Sequence, residues 1–179
     1  MDMMTKIKHR TTGRVIAEGD CSIRELAEVN KYHLAGANLA GADLSGADIQ
    51  DANLSGANLS GADLADTNLS GADLRYASGL PLAPAIPSID AAILAAIATP
   101  GCALDMSDWH RCETTHCWGG WTIHLAGEAG KKLEIALGTN AAAALIYAAS
   151  GSHPVPDWAA SEEDAMADLR RRAGVEVKA

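Results

Sequence analysis

The sequence predicts a mixed fold in three parts: a short solenoid of stacked turns, a small cap before it and an all-α module after it. Three observations point there. Leu or Ile recurs at every fifth position from Leu34 to Leu74 without a miss. The residue two before each of these, from Leu39 on, is Ala, or Thr at Thr67. After Tyr76 the pattern stops at "GLPLAPAIPS", and the apolar spacing beyond it becomes helical.

A period of five suits neither regular element. On a helix, residues five apart step by roughly 140° around the axis and scatter over every face. On a strand an odd spacing sends alternate side chains to opposite sides of the sheet. A chain that turns a corner at every fifth residue directs each large residue at a common axis, with small Ala groups filling the second inward position. Such a coil buries its apolar residues only by stacking on the next one, which is a solenoid.

The pattern A(D/N)LXX over residues 33–76 resembles the pentapeptide-repeat family. The resemblance implies a right-handed quadrilateral β-helix with four pentapeptides per coil. Leu and Ala then fill a narrow core and Asn and Asp stand outside, with Asp43 over Asp63, Asp48 over Asn68, Asn53 over Asp73 and Asn38 over Asn58. It brings no single activity, because the fold is a scaffold with several uses.

Residues 1–32 read as the cap that shields the first coil. "TKIKHRTTGRVIAEG" has the form of two short strands joined at Thr11-Thr12-Gly13, and Ser22 with Glu25 forms a capping box that opens a helix to about Lys31. Without such a cap the first coil would leave its core and strand edges open.

Residues 77–87 form a Pro-rich linker, and 88–179 an all-helical domain. Ile89, Ile93, Leu94 and Ile97 share one helical face, and "TPG" ends that helix. Segments near Cys117–Ala129 and Lys131–Leu137 follow, then "TNAAAALIYAASG" from Thr139. Ser161 caps the last helix, with Glu162, Glu163 and Asp164 in its first turn and Arg170, Arg171 and Arg172 in its last, as the helix dipole prefers. Through "TTHCWGGWTIHLAGEAGKKLE" this part resembles an uncharacterised helical segment of repeat proteins from bacteriophages and prophages. The alanines of "AAAALIYAA", beside Leu145 and Ile146, suit close packing and suggest a homodimer through this domain.

Composition narrows the function classes. The chain of 179 residues has a net charge of −9 and no Phe, as a narrow core requires. Its apolar runs are far shorter than the roughly 20 residues of a membrane helix, and "MDMMTKIKHR" has no secretory apolar core. Four irregularly placed cysteines read as reduced thiols, so the expected location is cytoplasmic. Residues 1–32 carry 6 basic and 5 acidic side chains, the repeats 6 Asp against Arg75 alone, and residues 77–179 carry 12 acidic and 7 basic. The two acidic segments would repel a phosphate backbone, so direct nucleic-acid binding is not expected.

The dense stretch "DMSDWHRCETTHCWGGWTIHLAGE" offers two sharper readings. His110, Cys112, His116 and Cys117 have zinc-ligand chemistry, but there is one cluster and no distant second pair. Cys117, capped by Thr114 or Thr115 at a helix start, has the placing of a thiol nucleophile, with His110, His116, His124 or His153 as base. The preferred reading is a packed, metal-free cluster in which Trp109, Trp118 and Trp121 supply the bulk of a small core and Cys is buried with them. No cofactor is implied.

The expected function is therefore a non-enzymatic protein-interaction module with an acidic repeat surface made of Asp43, Asp48, Asp51, Asp63, Asp66 and Asp73. Its partner is a protein with a basic surface. Some members of the family imitate a DNA duplex. Two and a quarter coils at roughly 4.8 Å per layer make a rod only about 10 Å long, too short to fill a DNA saddle. An acidic block of that size suits a short basic pocket, as in a phage-type inhibitor of a nucleic-acid-binding protein or host-defence complex. The alternative from another class is a Cys117-dependent hydrolase or transferase.

Overall fold

The computed structural model describes residues 4–107, 110–112, 115–158 and 160–175, with the backbone alone for 110–112 and 115. The solenoid turns once every twenty residues. Parallel single-residue bridges join Asn38 to Asn58, Asp43 to Asp63, Asp48 to Asn68, Asn53 to Asp73 and Asn58 to Ser78. Turns flank each bridge, so the faces meet one residue at a time rather than growing into long strands.

The corners explain the five-residue unit. In each, the Ala amide donates to the carbonyl of the Leu three residues before it, as from Ala42 to Leu39 (3.1 Å) and from Ala57 to Leu54 (2.9 Å). The third residue of the turn then lies at positive φ, as in a type II turn. Gly41 (φ 68°) and Gly61 (φ 68°) satisfy this freely, whereas Asp51, Asp66 and Tyr76 hold φ of 58°, 54° and 60°. Asp tolerates this region better than most side chains. The central Leu and Ile residues are all buried. Thr67 is buried too, and its hydroxyl donates to the Leu44 carbonyl at 2.9 Å, so the polar substitute for Ala costs no unpaired group.

Strands β1 (Thr5–His9) and β2 (Val15–Gly19) form an antiparallel hairpin, and β3 (Ala37–Asn38) adds to β1, giving the order β2-β1-β3. Helix α1 (Ile23–Val29) opens with the full Ser22–Glu25 capping box, and a 3-10 turn, Lys31–His33, leads into the coil. This cap occupies the upper edge. Amides that in later coils reach the carbonyl above find Lys31 O for Asn53 (2.9 Å) and the Glu28 carboxylate for Asp48 (2.9 Å).

Beyond the coil run α2 (Ile89–Ile97), α3 (Trp118–Leu125), α4 (Gly127–Ala149) and α5 (Glu162–Arg172). Helix α4 is interrupted at Gly138 (φ 77°, ψ 164°), which separates arms at 127–137 and 139–149. The all-α expectation needs correction. Strands β4 (Ala103–Leu104), β5 (His110–Cys112) and β6 (Thr115–His116) form a sheet in the order β4-β6-β5. No helical apolar period runs through 103–116, so this stretch has no face to bury as a helix and pairs its backbone as strands.

The C-terminal part docks on the lower edge of the solenoid. The Asp66 amide donates to Leu137 O (2.7 Å) at the α4 break, and the Gly71 amide to Pro156 O (3.0 Å). The Val155 amide donates to Ala72 O (3.0 Å), and Ser70 Oγ joins the Trp158 amide (2.9 Å) to the Asp157 carboxylate (3.0 Å). The stretch Ala141–Tyr147 is wholly buried in this chain's own core. Its alanines at 141–144 thus pack inside the chain and are not a free face. Among the described residues no helix is long and apolar enough to cross a membrane.

Leu54 lies mid-stack with coils on both sides, and its truncation to Ala is expected to cost about 2–5 kcal/mol in urea titration; a loss below about 0.5 kcal/mol would contradict the register. The corner glycines separate backbone strain from packing. A Cβ on Gly41 meets nothing within 4 Å, so Gly41→Ala should cost only the left-handed penalty, about 1–2 kcal/mol. At Gly71 the Cβ would fall 2.0 Å from Asp51 Oδ1, so Gly71→Ala should unfold at clearly lower urea than Gly41→Ala.

Candidate functional site

The Asn or Asp on each face, which follows the inward Ala or Thr67, begins the next corner, and its Oδ1 accepts the amide two residues on. Asp43 Oδ1 takes the Ser45 amide (3.1 Å) and hydroxyl (2.6 Å), and Asp63 Oδ1 takes the Ala65 amide (3.0 Å). These local bonds fix the side chains to the corner, as short polar residues do in turns.

Between layers the faces differ. Asn58 Nδ2 donates to Asn38 Oδ1 (3.1 Å), and Asn68 Nδ2 donates to Asp48 Oδ1 (3.0 Å). Asp73, under Asn53, forms a two-pronged ion pair with Arg75, at 2.6 Å from Nη2 to Oδ2 and 2.9 Å from Nε to Oδ1. Asp43 over Asp63 is another case. Both are exposed, a carboxylate only accepts, and among the described residues the layers are tied here by backbone bonds, Leu44 N to Asp63 O (3.0 Å) and Asp63 N to Ala42 O (2.9 Å), without a side-chain donor between the two carboxylates. The Ser45 hydroxyl, then the Ser45 amide, hold the Asp43 carboxyl below its usual range, and Arg24 adds a smaller contribution. Arg24 itself donates to Ser45 O (3.0 Å). A depressed carboxylate contributes stability that is present above the unfolded value and fades as pH falls through the folded one.

The six predicted acidic positions therefore do not make one patch. Asp43 and Asp63 share a face, Asp48 is on the next and Asp73 on a third, neutralised by Arg75. Asp51 and Asp66 occupy corners instead of faces. Asp51 lies over Gly71, and Asp66 lies against Gly138, where a Cβ would fall 2.3 Å from Asp66 Oδ1. Asp66 thus takes part in docking α4.

The Cys–His–Trp stretch is only partly described. Trp109 and the side chains of His110 and Cys112 lie outside the described residues. Cys117, not Thr114 or Thr115, is the N-cap of α3, and its Sγ accepts from the Gly120 amide at 3.3 Å. Burial pushes its thiol pKa up, against smaller opposing contributions from the Gly120 and Gly119 amides. His116 and His124 have ring centroids 5.0 Å apart, and both pack edge-on to Trp121, at 4.8 and 5.3 Å. His153 is elsewhere, in a groove with Leu74, Tyr76, Leu80 and Leu145 near the Asp73–Arg75 pair. Burial lowers its imidazole pKa. Among the described residues no three His, Cys, Asp or Glu side chains are arranged to hold a metal ion.

A buried polar network escaped the sequence reading. Asp90, buried at the start of α2, accepts from the Tyr147 hydroxyl (3.0 Å) and the Ser152 hydroxyl (3.0 Å). Trp118 Nε1 donates to the Tyr147 oxygen, and Trp118, Tyr147 and Trp158 pack edge-to-face. Burial, first, and then Asp90 push the Tyr147 pKa well up. The signal available was one Asp inside the apolar run "SIDAAIL".

A family model for pentapeptide repeats matches residues 33–61 and 52–78, as 8 copies. Comparison with curated proteins and with solved structures returned no match. The resemblance of the helical segment to phage repeat proteins has no counterpart among these findings.

Because burial opposes thiolate formation, Cys117 should react with iodoacetamide at neutral pH more slowly than a free cysteine, and at the free rate once unfolded. Rapid labelling of Cys117 in the folded protein, followed by peptide mapping, would restore the nucleophile reading.

Proposed function

From the premise that residues 33–78 belong to the pentapeptide-repeat family, we propose that the chain is a non-enzymatic protein-interaction module that presents an acidic face to a basic partner. The coil is read as the right-handed, four-sided β-helix that membership implies. The observation that carries the reading is the Asp43–Asp63 stack, among the described residues the one repeat face on which a carboxylate stands over a carboxylate. Adjacent layers lie about 4.8 Å apart, so the two carboxylates repel mildly in water. A cationic side chain bridging them would relieve that repulsion. The corner bonds hold Oδ1 of each.

The partner class is a protein whose basic pocket reads a few base pairs or phosphates, which an acidic block two layers tall would obstruct. Association then weakens with salt, since exposed charges are screened within about 8 Å at physiological ionic strength. The raised thiol pKa of Cys117 supports a non-enzymatic reading over a Cys117-dependent hydrolase.

The test is capture from a bacterial lysate by the immobilised protein, comparing wild type with Asp43→Asn/Asp63→Asn. A basic protein retained at low salt, displaced by duplex DNA and bound about tenfold more weakly by the double variant is the expected outcome. The variant should be at least as stable in urea, because Asn at position 63 can donate upward as Asn68 does to Asp48. Unchanged retention and an unchanged salt dependence would make the acidic face a solubility device only.

A further inference from the structure

The N-terminal cap carries an open groove of about 510 Å³, formed where the β1–β2 turn faces the 3-10 turn. His9, Arg14, Ile16, Asn30, Tyr32 and His33 line it, and no carboxylate does. That is unusual in a chain of net charge −9. Three carboxylates of the cap are engaged elsewhere: Glu18 with Lys6 (3.0 Å), Glu25 in the capping box and Glu28 on the Asp48 amide (2.9 Å). Among the described residues neither the Arg14 guanidinium nor the His33 imidazole has an ion pair or a side-chain hydrogen bond.

The walls are set rather than loose. His9 Nδ1 accepts the Thr11 and Thr12 amides (3.2 and 3.3 Å), and its ring lies on Gly36, where a Cβ would fall 2.5 Å from Nε2. Asn30 Nδ2 is tied to Leu26 O at 2.8 Å. Tyr32 is 60% exposed, and the Lys31 ammonium stands 5.7 Å from its ring centroid, adding a second cation to that wall.

A guanidinium fork matches the paired oxygens of a phosphate, and an exposed aromatic face stacks on a nucleobase with little regard to which base it is. The volume falls within the roughly 300–1,000 Å³ usual for small-ligand sites. We propose that this groove binds a nucleoside phosphate, with the phosphate on Arg14 and His33 and the base against Tyr32. The site shares no residue with the Asp43–Asp63 face, so it stands or falls independently of the protein-binding reading.

The test is calorimetric titration of the full chain with AMP and, separately, with inorganic phosphate. AMP is expected to bind saturably and at least about tenfold more tightly than phosphate, the difference being the base. Arg14→Ala should weaken AMP about tenfold or more, and Tyr32→Ala should erase the advantage over phosphate while leaving phosphate binding unchanged. Both side chains are exposed, so the urea midpoints should match wild type and confirm that the variants fold. Asp43→Asn should leave AMP binding unchanged. Absence of saturable AMP binding at millimolar concentration, equal binding of phosphate and AMP, or indifference to Arg14→Ala would each overturn the proposal.

Discussion

The corner amides of Gly36, Gly41, Gly46, Asp51 and Gly56 each donate to a carbonyl nineteen residues further on, at Ser55, Ser60, Ala65, Ser70 and Arg75. A buried backbone donor left without an acceptor is costly, so a short stack must terminate this ladder at both ends. Much of the molecule follows from that need. At the lower end Leu137 and Pro156 supply the carbonyls for Asp66 and Gly71, and Val155 gives the amide that Ala72 O requires. Two pieces of chain, the end of the first α4 arm at Leu137 and the segment at Val155 and Pro156, take the place of a missing coil. At the upper end the Lys31 carbonyl and the Glu28 carboxylate act likewise for Asn53 and Asp48. The break at Gly138 belongs to this arrangement, since a continuous helix would spend the Leu137 carbonyl internally and a side chain at 138 would collide with Asp66.

Charge is arranged under the same geometric rule. A parallel register places residues twenty apart directly over one another, so the identity of each vertical pair decides whether a face attracts or repels itself. Asn over Asn and Asn under Asp form amide bonds, and Arg75 neutralises Asp73. Only where Asp meets Asp does an acceptor-only pair arise, and that pair is exposed. The count of aspartates along the repeat does not say how they are distributed, which position within the coil decides. The cap is the counterpart: Glu18 pairs with Lys6, and no carboxylate lines the groove at Arg14 and His33.

The C-terminal part shows how a small core without Phe gains definition. Three large aromatic side chains meet edge-to-face, and one buried carboxylate receives two hydroxyl donors. The Arg172 guanidinium closes the cluster from α5, 5.9 Å above the Trp118 ring. Hydrogen-bonded polar groups inside an apolar core favour one packing over its neighbours, since other arrangements would strand them.

By itself the sequence determined what is local or periodic. The Leu34-to-Leu74 spacing specified the coil, the Ser22–Glu25 box specified the start of α1, and Ser161 with its following acids specified α5, because these depend on residues within one turn. The break before Thr139 was legible too, since Gly138 interrupts an otherwise helical run. Tertiary structure decided the rest. The strands at 103–116 arise from pairing across chain segments, which no local period records. That the alanines at 141–144 are buried in this chain's core depends on α3 packing against α4, which their own spacing does not record. The contacts of Asp66 and Asp90 likewise turn on neighbours some tens of residues away, at Gly138 and Tyr147. The physical reason is that periodicity fixes which side of an element is buried, whereas the partner that buries it is chosen by packing the whole chain.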